Sequence, residues 1–365
     1  MKVKCSGLDL CDAVGKVIKA TSVKSVNGIL EGIKLTAEND TLVLTATDLE
    51  LGIKKSIRAD VLIEGEVVVP GRIFSEYIKK LINEEVELTL IENNQLKIKY
   101  TDSEGILQCY NVLEFPNLKQ IDNAEYFSLK SKDLKTLINK SIISVAVDDS
   151  RPILKGVLFE VEDKTVNAVA LDGYRLALIK KPLINSTARL SCVVPSRSLY
   201  EISKLLDDSD ETINVYIQKN YLMVDLKETL IITRLLDGDF INYKKIIPST
   251  KTTTITINRV QFENALERAN LLSKVDRNNI IKFDIKEKLL TITSNNEFGS
   301  IKENVTIALN GKDLVIAFNA KYILDVLHNQ EDEFVKIDFE TNINPCIIKS
   351  ENSDEFLYLI LPVRI

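Results

Sequence analysis

Catalysis needs convergent reactive groups, and this chain of 365 residues offers few candidates. The single histidine, His328, follows the last apolar position of a helical stripe, which suits a surface or packing role better than a general base. Asp148-Asp149 and Asp207-Asp208-Ser209-Asp210 carry oxygen donors of the kind that hold Mg²⁺ or Ca²⁺, although acidic loops of this sort are more often simply solvated. Cys5, Cys11, Cys109, Cys192 and Cys346 are odd in number, widely spaced and free of any CxxC pair, and so read as buried thiols in a reducing compartment. Phosphate-loop spacing, a Gly-x-Ser-x-Gly elbow and a metal-spaced histidine pair are all missing from the sequence. The pattern points away from an enzyme, and no metal or cofactor is expected.

The chemistry that remains is the binding of an anion by distributed positive charge. Lys132 and Lys135 lie on a polar helix face, with Lys24, Arg151 and Arg277 just beyond helix ends. A second set of helices begins at Arg72, Arg197 and Lys321 and carries Lys79 and Lys204 further along. The net charge of −6 argues against a polyanionic partner unless the charge is segregated, with carboxylates elsewhere. Acidic clusters do recur apart from these helices, at Glu84-Glu85 with Glu87, at Asp207 to Glu211 and at Glu331 to Glu333. A basic lining inside an acidic body would hold duplex DNA by its phosphates without reading bases. Glu263 and Glu267 run counter to this pattern on a first helix that also carries Arg268.

Those helices recur because the chain repeats itself. The stretch Cys192 to Leu206 has one counterpart at Val67 to Leu81 and another at Leu314 to Leu327, each an apolar strand, a turn and an amphipathic helix. A period of about 124 residues is too long for a solenoid and matches one small domain. Each copy opens with an apolar helical stripe: Leu10, Ala13, Val14, Val17 and Ile18; then Leu134, Leu137, Ile138, Ser141 and Ile142; then Phe262, Ala265, Leu266, Ala269 and Asn270. Alternating strands follow, with Leu35, Phe159 and Phe283 at one repeat position, and each copy closes on a strand pair. Two helices and roughly eight strands per copy predict an α+β fold of three tandem modules, at 1–123, 124–249 and 250–365.

An apolar content of 45% with 27% charged residues fits a globular chain with two or three cores. No run of about 18 apolar residues occurs, and the start of the chain lacks an apolar leader, so membrane spanning and secretion are not expected and a cytoplasmic location is. Modules with open sheet edges must cover them. Tandem copies pairing head to tail either form an open arc of three or close into a ring when two chains complete each other.

The residues carry a resemblance to a known family. Thr45 to Glu50, Phe115 to Leu118, Arg151 to Phe159, Leu171 to Leu176, Val193 to Pro195, Phe318-Asn319 with Tyr322 to Leu327, and the terminal Leu361 to Ile365 together resemble the β subunit of bacterial DNA polymerase III, the β sliding clamp, over the whole length. The resemblance implies a homodimeric ring of six similar domains that encircles duplex DNA and tethers the replicative polymerase. It also implies binding to the clamp loader and to other proteins that carry a clamp-binding motif. A partner-peptide pocket is implied at Leu154, Leu171, Gly173, Tyr174, Arg175, Leu176, Lys245, Ile246, Leu359, Leu361, Pro362, Val363 and Arg364. For Leu154 and Leu176, plain core packing is an equal reading. The family likeness further places Ile106 and Leu107 opposite Leu271 and Leu272 of a second chain. Ile241 stands where the family usually has proline, and Pro152 and Ile153 stand where some relatives present tyrosine to DNA, so that contact is not carried over. The competing class is a triplicated scaffold or small-ligand enzyme using the Asp172 to Arg175 loop as its site.

Overall fold

The computed structural model describes residues 1–22, 27–119, 124–148, 150–275, 279–351 and 353–364. Lys24, Asp149, Arg277 and Ile365 lie outside them. Six α-helices occur among the described residues: α1 Gly7–Val17, α2 Gly71–Ile78, α3 Ser131–Ile142, α4 Ser196–Ser203, α5 Arg259–Ser273 and α6 Ala320–Leu327.

The first helix of each copy buries the stripe its sequence predicts. Leu10, Ala13, Val14 and Val17 are buried in α1, and Leu134, Leu137, Ile138 and Ser141 in α3. In α5 the stripe is Phe262, Ala265, Leu266, Ala269 and Asn270. The polar members survive burial because their hydrogen bonds are made locally: Ser141 Oγ donates to the Leu137 carbonyl at 2.6 Å, and Ser273 Oγ donates to Asn270 Oδ1 at 2.7 Å. Side-chain caps start these helices, with Ser6 Oγ accepting from the Asp9 amide and Asn258 Oδ1 from the Gln261 amide.

The second helices are shorter than their stripes suggest, since α2 stops at Ile78 and α4 at Ser203, leaving Leu81 and Leu206 buried beyond the helix ends. The chain must turn there to reach the start of the first helix. The Gly7 amide donates to the Glu84 carbonyl at 2.8 Å, Ser131 to Glu211 at 2.8 Å, and Arg259 to Glu333 at 2.9 Å, the same bond in all three copies. At Gly7 the approach is so close that a Cβ would sit 1.9 Å from the Leu81 carbonyl oxygen. The repeating acidic clusters therefore abut the N-termini of the first helices, where backbone N–H groups and the helix dipole favour negative charge.

Packing divides the chain into two compact units, residues 1–131 with 184–188 and 204–235, and residues 132–183 with 189–203 and 236–365. The units follow shared sheets rather than the sequence repeat. The first holds a five-stranded sheet and a nine-stranded sheet, and the second a twelve-stranded sheet. The nine-stranded sheet is continuous because strand Leu51–Arg58 of the first copy pairs antiparallel with Thr229–Arg234 of the second, Leu51 opposite Thr233 and Lys55 opposite Thr229. The twelve-stranded sheet repeats the joint one copy later, Arg175–Pro182 against Phe356–Ile360, with Arg175 opposite Ile360 and Ile179 opposite Phe356. Each internal edge is thus covered by the neighbouring copy.

Candidate partner-peptide pocket and basic helix ends

The loop after the second long strand is built the same way in every copy. Asp48 Oδ1 accepts from the amides of Glu50 and Leu51, Asp172 Oδ1 from those of Tyr174 and Arg175, and Asn296 Oδ1 from that of Phe298. Short Asx side chains are well suited to closing such turns. In the middle copy Gly173 takes φ +93° with open space around it, a conformation costly for a side chain and one that leaves room above the loop.

Below that loop lies an apolar floor. Leu154, Leu171, Leu176 and Leu359 are 2–4% exposed and belong to one buried cluster with Leu158, Val169, Tyr243 and Ile347. Core packing is therefore a true description of Leu154 and Leu176. Of the other residues expected at the pocket, Gly173, Tyr174, Lys245, Ile246, Leu361 and Arg364 are exposed, with Pro362 and Val363 half-buried. Ile241 is half-buried against the cluster.

The tail is pinned on both sides. The Leu361 amide donates to the Tyr174 carbonyl at 2.8 Å, and the Val363 amide donates to the Ala317 carbonyl at 2.8 Å. Leu361 still exposes 38% of its surface.

Arg175 is no free anchor. Its Nε donates to Asp172 at 2.9 Å, its Nη1 to Asp325 at 2.6 Å, and its guanidinium lies 4.5 Å from the centre of the Tyr322 ring. Tyr174 stacks over the same ring at 6.4 Å. Burial, then the Asp172 charge, pushes the Tyr322 hydroxyl pKa up, so the ring stays a neutral platform. Sequence reasoning missed Tyr322, Asp325 and Tyr243 as parts of this site. Tyr322 and Asp325 sit within the quoted Tyr322 to Leu327 motif, and their helical spacing to the loop becomes visible only once the tertiary contacts are known. Tyr243 occupies the repeat position of Leu118, buries its ring in the floor and donates its hydroxyl to Glu160 at 2.6 Å.

The equivalent place at the joint between the first two copies is closed. Gly52 stands at the repeat position of Leu176, and a Cβ on it would meet Leu118 Cδ2 at 2.4 Å. Leu118 fills the space left by the missing side chain, and the connector Phe115 to Lys119 lines a groove of about 800 Å³ with mixed polar and apolar walls beside it.

Most of the basic residues sit at or near helix ends. Arg72, Arg197 and Lys321 occupy the first turns of α2, α4 and α6 and are exposed; Lys79, Lys132, Arg151 and Lys204 are exposed and Lys135 half-buried. Arg72 makes only a loose i,i+4 contact to Glu76, 3.4 Å with both side chains largely in solvent. A cation in the first turn opposes the helix dipole, at a cost of roughly 0.3–1 kcal/mol, and the feature recurs in all three copies. Arg268 leaves this set, because it is held bidentately by Glu303 at 2.9 and 2.7 Å. At the expected dimer positions Ile106 and Leu271 expose 52% and 65%, while Leu107 and Leu272 are half-buried.

A module repeated three times, whose sheets run on into the next copy and whose second helices start with cations, fits the class of DNA sliding clamps. Domain models of the DNA polymerase III beta subunit match residues 1–119 (N-terminal), 128–242 (central) and 244–364 (C-terminal). The beta sliding clamp of Bacillus subtilis is 33% identical over 97% of both chains, and that of Halalkalibacterium halodurans 32% identical over 96% of both. The crystal structure of the Bacillus subtilis DNA polymerase sliding clamp superimposes with a TM-score of 0.97, covering 100% of this chain and 99% of that one at 32% identity. The chain belongs to the DNA polymerase III beta subunit family, the bacterial β sliding clamps. It is a non-catalytic clamp that works with DNA and a DNA polymerase, and the scaffold or small-ligand enzyme reading is not favoured. No helix among the described residues is long and apolar enough to cross a membrane.

Proposed function

We propose that two copies of this chain close head to tail into a six-module ring around duplex DNA, modules 1–123, 124–249 and 250–365 contributing one after another from each. One observation carries the reading: both internal joints use the same pair of strands, which leaves residues 299–306 of Gly299–Gly311 in the third copy, paired on one side only, and Ser103–Gln108 of the first as the unspent members. Ser103–Gln108 is the outermost strand of the five-stranded sheet, an exposed edge with Ile106 facing water. Carrying the internal register across sets Gly299 opposite Leu107 of the second chain, Ser300 opposite Ile106 and Lys302 opposite Glu104, a charge pair of the right sign. Leu271 and Leu272 supply apolar cover beside that joint. Because the contact is made twice, the two joints close the ring.

Arg72, Lys79, Lys132, Lys135, Arg151, Arg197, Lys204 and Lys321, with Lys24 and Arg277 outside the described residues, are the phosphate-facing cations in this reading. They hold DNA without base readout, each neutralised phosphate adding about 0.9 to the salt slope of binding. The recess floored by Leu154, Leu171, Leu176 and Leu359 takes one or two apolar side chains of a linear motif presented by the polymerase, the clamp loader or other partners. A cytoplasmic location goes with this reading. Light scattering after gel filtration tests the closure: a mass twice the 41.1 kDa of one chain is expected, and a monomer at micromolar concentration overturns it.

A further inference from the structure

The first helix of the third copy departs from its counterparts in charge, and the departure is organised. Glu263 and Glu267 sit one turn apart on α5, and the imidazole of His328, the residue that caps the end of α6, lies between them: Nε2 is 3.4 Å from Glu263 Oε1 and 3.3 Å from Glu267 Oε1. All three donor atoms fall within 4.8 Å of one another. Two carboxylates at i,i+4 repel, and a cation between them removes that penalty. Bonds of about 2.0 to 2.2 Å around a tetrahedral Zn²⁺ imply donor-to-donor edges of roughly 3.3 to 3.6 Å, and the two edges from His328 to the carboxylates have that length, with the carboxylate oxygens within 4.8 Å of each other.

The surroundings fit a ligand set as well. Arg259 Nη1 donates to Glu263 Oε2 at 2.7 Å, so one oxygen is fixed by an outer partner and the other is turned toward His328. His328 stands at the C-terminal end of α6, where unpaired carbonyls favour positive charge. Glu267 and His328 are both about half exposed, which leaves a fourth position open to water.

We propose that Glu263, Glu267 and His328 bind one borderline divalent cation of the Zn²⁺, Co²⁺ or Ni²⁺ class, with solvent completing a tetrahedron. One imidazole nitrogen and two carboxylate oxygens suit these ions better than Ca²⁺ or Mg²⁺, which prefer all-oxygen shells of higher coordination number. Glu263 occupies the repeat position of Lys135. With Arg259 included, the corner changes from one net negative charge to one net positive charge when the ion enters, restoring the sign the other copies carry. That consequence for DNA rests on the ring reading above. Metal uptake itself does not.

Co²⁺ titrated alone into the chelator-stripped full chain tests the site. One saturable equivalent per chain is expected, with visible ligand-field bands of tetrahedral intensity and no thiolate charge-transfer band. His328→Gln abolishes them and Glu267→Gln weakens uptake by about tenfold or more. Both side chains are exposed, so circular dichroism of the variants should match the parent. No saturable uptake, uptake unchanged in His328→Gln, or thiolate bands that place the ion on Cys11 would each overturn the assignment.

Discussion

Arg175 donates to Asp325 at 2.6 Å and to Asp172 at 2.9 Å, and this two-sided grip joins the Asp172 to Arg175 loop to helix α6. The guanidinium is 10% exposed, so each bond is made with little competition from water. Removing the Asp325 partner leaves a nearly buried cation half satisfied, a loss of about 1 to 3 kcal/mol. Asp325→Ala should therefore weaken a linear-motif peptide by tenfold or more in calorimetry while the chain's oligomeric mass stays the same. Unchanged affinity would show that the loop holds its shape without the grip.

The tail is expected to act in the recess and nowhere else. Deleting Leu361 to Ile365 removes the amide bonds to Tyr174 and Ala317 together with the exposed Leu361 side chain. Peptide binding should fall below detection and the dimer should survive. A monomer after the deletion would make the tail a structural strap.

At the proposed inter-chain joint, Leu272→Asp sets an unpaired charge against apolar surface and should give monomers by light scattering. The register makes a sharper demand. Ser300→Cys combined with Ile106→Cys should crosslink into a covalent dimer under mild oxidation, whereas Ser300→Cys with Glu104→Cys, displaced along the strand, should not. Equal crosslinking of both pairs would contradict the register carried over from Leu51 opposite Thr233.

Asp338 offers a pH test. Burial alone would raise its pKa, but Lys349 at 2.7 Å, Thr254 at 2.7 Å and Lys251 at 3.1 Å outweigh burial and hold it below the ordinary carboxylate range. A lowered folded-state pKa stabilises above the unfolded value, near 3.9, and that stability is lost as pH falls through the folded value. Asp338→Asn should cost about 1 to 3 kcal/mol at neutral pH in denaturant melts, with the gap to the parent closing in acid. A constant gap from neutral pH down to strong acid would mean the loss is one of packing.

Much of this was legible in the sequence, because hydrophobic periodicity and the repeat reinforce one another. Phe262 to Asn270 could be assigned to a buried stripe despite its polar members, since Leu10 to Ile18 and Leu134 to Ile142 share its spacing. The loops at Asp48, Asp172 and Asn296 were in step before their identical turns were seen. Pairings between distant strands were less accessible. Nothing local in Arg175 announces Asp325, 150 residues away, as its partner. Nor does the sequence near Gly52 say that Leu118 fills the space above it. Helix ends were missed for a related reason, since α2 stops at Ile78 and the turns that follow bring the Leu81 and Glu84 carbonyls against Gly7, which is distant in sequence.

The central claim is that closure rather than affinity holds the protein on DNA. It is tested most directly by loading the protein with its clamp loader onto a nicked circular duplex and measuring retention before and after one restriction cut elsewhere in the circle. Stable retention on the circle and release within minutes of linearisation are predicted. Equal retention on circle and linear duplex would contradict it.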